Sequence, residues 1–64
     1  MATPLAAAMS ARGVSVRDLA AIMRRSKTTV GRWSTGERTP TARQRTRIAR
    51  VLGASVDDLF GQRL

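Results

Sequence analysis

Sixty-four residues with a formal net charge of +8 make one small domain, long enough for a single modest core and too short for a catalytic domain with a regulator attached. The chain has no Cys and no His, which removes disulfides, thiolate metal ligands and the commonest general base; its acids, Asp18, Glu37, Asp57 and Asp58, do not pair with a nucleophile. No enzyme activity, metal site or cofactor is expected. No apolar run approaches the ~20 residues that span a bilayer, and no basic stretch leads into an apolar block at the N-terminus. A cytoplasmic protein with no membrane partner is the expectation. Charge is concentrated between Arg12 and Arg50, where ten Arg and Lys27 face only Asp18 and Glu37, a net of +9. Basic charge so clustered suits the neutralisation of phosphates, although a solvated Arg-rich surface would look the same.

The punctuation of the chain predicts five short helices and no strands. Thr3 followed by Pro4 is an N-cap with Pro in the first helical position, opening a helix over 4–12 with Leu5, Ala8 and Met9 inward and Gly13 as its stop. Ser15 with Asp18 three residues on is a capping-box variant, opening a helix over 16–23 with Leu19, Ala20 and Met23 at helical spacing. Arg24 and Arg25 form a turn. Ser26 caps a third helix over 27–34, with Val30 and Trp33 on its buried side and Gly36 as its end. Pro40 and Thr41 open a fourth over 42–52, with Ile48, Ala49 and Leu52 inward and Gly53 as its stop. Ser55 and Asp58 start a short fifth helix through Phe60 that contributes Leu59 to the core. The tail 61–64 is expected to fray.

Helices 2 and 3, with so short a connection, have the spacing of a helix-turn-helix, whose second helix enters the major groove while the first crosses the backbone. Ala20 allows close approach and Val30 is the branched contact opposite. Lys27, Thr28, Gly31 and Arg32 then face outward, where Lys and Arg can donate to guanine O6 and N7 and Thr can meet a base edge or a thymine methyl. Arg43, at the start of helix 4, is placed where backbone amides already favour phosphate.

The strings GVS-x-x-x-LA at Gly13 to Ala20, S-x-T-T-V-x-R-W at Ser26 to Trp33, Gly36, Pro40, and IARVLGASVDDLF at Ile48 to Phe60 together resemble the lambda-repressor-like helix-turn-helix family, which includes phage Cro and repressor proteins and the XRE regulators. The resemblance covers almost the whole chain. It implies base reading by Lys27, Thr28 and Arg32, and phosphate contacts at Ser26 and Thr29. Val16 stands where the family usually has Gln and can offer phosphate only its backbone N–H. Arg17, Arg24, Arg25 and Arg38 complete the expected phosphate set, with turn solvation the competing role for Arg24 and Arg25. A family ion pair falls on Met9 and Ser34, so both of its halves are missing and an apolar contact is expected instead. Arg24 replaces a frequent Gly, and Arg45 replaces an apolar residue and is expected to snorkel along the core edge.

Blander roles are assigned to several conspicuous residues. Trp33, with Phe60 as the only other aromatic, is expected in the core and not as a stacking platform. Arg47 and Arg50 read as a solvated face, and Asp57 and Asp58 as residues complementing the start of helix 5. The expected function is a sequence-specific, double-stranded-DNA-binding transcriptional regulator, a Cro-like repressor without a sensing extension. It is expected to be a weak homodimer completed on operator DNA. A small antitoxin or an excision-type accessory protein would share the same domain. A cationic amphipathic protein for an anionic membrane or a host protein is the rival of another class, and five punctuated helices argue against it.

Overall fold

The computed structural model describes residues 3–60. Among them the chain forms five helices and no strand: α1 (Pro4–Ala11), α2 (Val16–Met23), α3 (Lys27–Thr35), α4 (Ala42–Leu52) and α5 (Val56–Phe60). A hydroxyl sets the start of each. The side-chain oxygens of Thr3, Ser15, Ser26, Thr41 and Ser55 accept from the amides of Ala6, Asp18, Thr29, Gln44 and Asp58 at 3.0–3.2 Å. Each bond satisfies an amide that the helix itself leaves without a carbonyl. Reciprocal capping boxes form at Ser15/Asp18 and at Thr41/Gln44; the second was not anticipated from Pro40–Thr41. Ser55 and Asp58 cap in one direction only.

The helix ends differ slightly from expectation. α1 stops at Ala11, with Arg12 as its cap residue. α3 continues one residue past Ser34, because Thr35 is still helical before Gly36 turns left-handed at φ +88°. The end of α2 is unusual. Arg24 takes φ +56° and ψ +46°, a left-handed conformation that α3 and α4 assign to Gly36 and Gly53 at the equivalent point. A Cβ in that region costs about 1–2 kcal/mol against its neighbouring carbonyl.

Leu5, Met9, Leu19, Ala20, Met23, Val30, Trp33, Ile48, Ala49, Leu52 and Leu59 form one buried cluster. Every expected core residue is in it except Ala8, which is only half-buried. Met9, expected inward beside it, is buried: it sits four residues from Leu5, whereas Ala8 lies at the margin of that stripe and packs against the cluster from there. α2 packs on α3, α1 packs on both α3 and α5, and α4 packs on α5. Trp33 borders a crevice with Leu5 at the start of α1 and with Leu59 and Phe60 of α5, so the terminal helices share the seating of α3.

Four side chains, Arg12, Arg45, Met9 and Ser34, take places that their residue types alone did not fix. Arg12 was counted with the basic surface, but its guanidinium donates to the carbonyl oxygens of Leu52 and Gly53 and so closes the C-terminus of α4. Arg45 is half-buried and donates from Nη1 to the Pro40 carbonyl at 2.8 Å, while its Nε is buried without a partner. Met9 is buried and Ser34 turns its hydroxyl to the Gly31 carbonyl; both border one hollow with Ala6, Val14 and Val16. The Ser34 carbonyl accepts from Thr3 Oγ1, which ties the start of α1 to α3.

Two substitutions test this account. Trp33→Ala should cost ~3–5 kcal/mol, comparable to the whole stability of so small a domain, and thermal unfolding by circular dichroism should show a protein largely unfolded at 25 °C. Arg24→Gly should do the reverse. Relief of the left-handed Cβ exceeds the added chain entropy by about 0.5–1 kcal/mol, a rise in Tm of roughly 2–8 °C.

Candidate nucleic-acid interface

The connection between α2 and α3 is only Arg24, Arg25 and Ser26. Arg24 reverses the chain, the Arg25 amide returns to the Ala20 carbonyl at 3.0 Å, and Ser26 immediately caps α3. With so few residues between them, the two helices pack directly on one another, and the small Ala20 of α2 and branched Val30 of α3 both lie in the buried cluster, 4% and 0% exposed. Burying Val30 and Trp33 on one side of α3 forces the opposite side outward. Lys27, Thr28 and Arg32 are exposed there. A Cβ built on Gly31 would meet nothing within 4 Å, so that stretch of the face is open to a close approach. Thr35 continues the same stripe, but its hydroxyl is engaged by the Arg32 carbonyl and Glu37 Oε1.

Beside this face lies a polar hollow of about 310 Å³ lined by Arg25, Thr29, Arg32, Arg38, Thr39 and Gln44, with Trp33 beneath. Arg25 comes from the turn, Arg32 from α3 and Arg38 from the α3–α4 loop, whose course is fixed by the Arg38 amide bonding the Arg32 carbonyl at 3.2 Å. Three guanidiniums around one space make it suited to an anion, and to a phosphate above all. Thr29 Oγ1 accepts from Ser26 Oγ at 2.9 Å, which leaves the Thr29 hydroxyl proton for an external acceptor. Gln44 Oε1 accepts from the Thr41 amide, which leaves its NH₂ as a donor.

The fold brings together Arg25, Thr29, Arg32 and Arg38 of the expected contact set. Ser26 is exposed beside them, with its oxygen already committed to the cap. Arg17 and Arg24 are exposed but border no part of this hollow. Val16 is half-buried against the core, so its side chain serves packing. Arg43 lies in the first turn of α4 but lines a different groove, with Arg47 and Arg50. Thr39 and Gln44 were not foreseen as part of the site. The signal for Gln44 was the Thr-x-x-Gln spacing at 41–44, a capping box that fixes the amide at the mouth of α4.

A family model for the helix-turn-helix domain matches residues 1–60. The chain belongs to the helix-turn-helix domain family. No curated protein and no solved structure matches it. Membership gives the short turn, the buried seam and the open polar face one common meaning: this helix-turn-helix domain is built to bind DNA. The family is typically non-enzymatic. No helix among the described residues is long and apolar enough to cross a membrane.

The openness at Gly31 is directly testable. Gly31→Ala should stabilise the helix-turn-helix domain by about 0.5–1 kcal/mol, since the new methyl meets no atom and restricts the unfolded chain. A higher midpoint in urea would show it, and a lower one would mean that α3 is more closely covered than described.

Proposed function

We propose that this domain is a sequence-specific transcriptional regulator, a Cro-like repressor that reads duplex operator DNA through α3. The observation that carries this reading is the open face of α3 set against a hollow ringed by Arg25, Arg32 and Arg38. Lys27, Thr28, Gly31 and Arg32 meet base edges, where Lys and Arg suit guanine and the missing side chain at Gly31 lets the backbone approach. Arg25, Thr29, Arg38 and the Ser26 region hold phosphates along one strand. Arg17 and the Val16 amide at the start of α2, with Arg24 in the turn, extend that contact, and Arg43 adds one at the start of α4. Because it is part of the base-reading face, Arg32→Ala should cost ~1–3 kcal/mol on the best site and relax the choice of one base pair. Arg43→Ala should weaken all sequences about equally and flatten the salt slope by about one unit per subunit. Binding to a randomised duplex library across a salt series checks both. Equal, sequence-independent losses for the two variants would defeat the assignment.

One α3 reads only a few base pairs, so two copies on a near-palindrome are the working unit. The apolar surface that α5 leaves for a second copy is small. Leu59 is 2% exposed and belongs to the core, Val56 and Phe60 are half-buried, and Leu64 lies outside the described residues. An interface well below ~1,000 Å² is weak in solution. Sedimentation should show monomer or weak dimer without DNA, and two chains on an operator whose half-sites are ~34 Å apart. A tight dimer without DNA, or one chain saturating a full site, would overturn this.

A further inference from the structure

The α2 and α4 helices are not a close packing pair, since α2 is engaged with α3 and α4 with α5. The seam between them is an open groove of about 710 Å³. Among the described residues the exposed large hydrophobics are Ile22 and Val51, at 41% and 37% exposure, and both line this groove. Ala42 and Thr46 continue the floor, and Arg43, Arg47 and Arg50 form the α4 rim. No acidic side chain lines it. The three rim guanidiniums have no hydrogen bond or ion pair among the described residues.

We propose that the groove between α2 and α4 docks an acidic amphipathic helix of a second protein, independently of how α3 engages DNA. Charge complementarity selects the occupant: a cationic rim without internal counter-charge attracts a carboxylate-rich segment. The aliphatic floor decides against phosphate, because a nucleic-acid backbone would use the arginines and leave Ile22 and Val51 without apolar contact. A second copy of this chain is disfavoured by its own net charge of +8. The form of the partner follows from α4, whose eleven residues make a wall about 16 Å long. That length accommodates some three turns of a helix laid in a groove, with leucine-type anchors every three or four residues against Ile22 and Val51 and carboxylates along the Arg rim.

The probe is a fluorescein-labelled helical peptide with Leu at every third or fourth position and Glu between, set against a scramble of the same composition. The full chain should bind the patterned peptide, with amide NMR shifts concentrated at Ile22, Ala42, Thr46 and Val51. Ile22→Gln with Val51→Gln changes two exposed side chains; it should weaken peptide binding about tenfold, leaving the melting temperature and duplex-DNA affinity as they were. Arg47→Ala with Arg50→Ala should weaken it too and flatten its salt dependence. Equal binding of the scramble, or shifts centred on Lys27, Arg32 and Arg38, would reduce the effect to bulk charge and overturn the proposal. So would displacement of the peptide by duplex DNA that itself shifts Ile22 and Val51, beyond the phosphate contact proposed for Arg43. Concentration-dependent self-association abolished by the Gln pair would assign the groove to a second copy instead and likewise overturn it.

Discussion

The seating of α3 is the constraint on which the rest of the molecule depends. A helix of nine residues has too few internal hydrogen bonds to persist alone in water. It is held because Val30 and Trp33 are buried against neighbours from both ends of the chain: α2 alongside, Leu5 of α1, and Leu59 with Phe60 of α5. The Thr3 hydroxyl bond to the Ser34 carbonyl fastens the far end of α3 to the start of α1. Only with that helix fixed are the outward residues held as one rigid surface. Rigidity matters for the proposed base readout, because its hydrogen bonds tolerate little error in geometry.

Around that helix the basic side chains of the described residues divide into different physical roles. Arg12 closes the end of α4, and Arg45 lies along the core edge with its guanidinium on the Pro40 carbonyl. Neither is presented as a free surface charge. Arg25, Arg32 and Arg38 converge on one polar hollow, whereas Arg43, Arg47 and Arg50 share a face with an apolar floor. Net charge therefore overstates the cationic surface facing any one partner. Arg43 stands between the two surfaces, in the first turn of α4 and on the rim of the groove.

The turn sets the strain of one residue against the contact proposed for it. Glycine at position 24 would take the left-handed conformation at little cost, yet Arg stands there, exposed and beside the proposed DNA surface. Strain retained at such a place is consistent with a charge contributing more to binding than its removal would contribute to folding. Its neighbours limit the cost: the return bond from Arg25 to Ala20 and the Ser26 cap both depend on the reversal at Arg24.

How much of this was legible in the sequence follows from the range of the forces involved. Helix starts were readable because a cap is a local bond, set by a hydroxyl and an amide three residues apart; all five starts fall where Thr3, Ser15, Ser26, Thr41 and Ser55 place them. The buried stripes were readable for the same reason, with Ala8 the exception, half-buried at the edge of a face that Met9 fills. Outward placement of Lys27, Thr28, Gly31 and Arg32 followed from the burial of Val30 and Trp33. Contacts across tens of residues were not legible. Arg12 meets the end of α4 forty residues later, Thr3 meets Ser34, and Arg25, Arg32, Arg38 and Gln44 gather from a turn, a helix, a loop and a helix start. The groove between α2 and α4 belongs to this second kind. Residue pattern determined which faces are apolar or charged, but which faces meet, and which gap stays open, was decided by how five short helices share one small core.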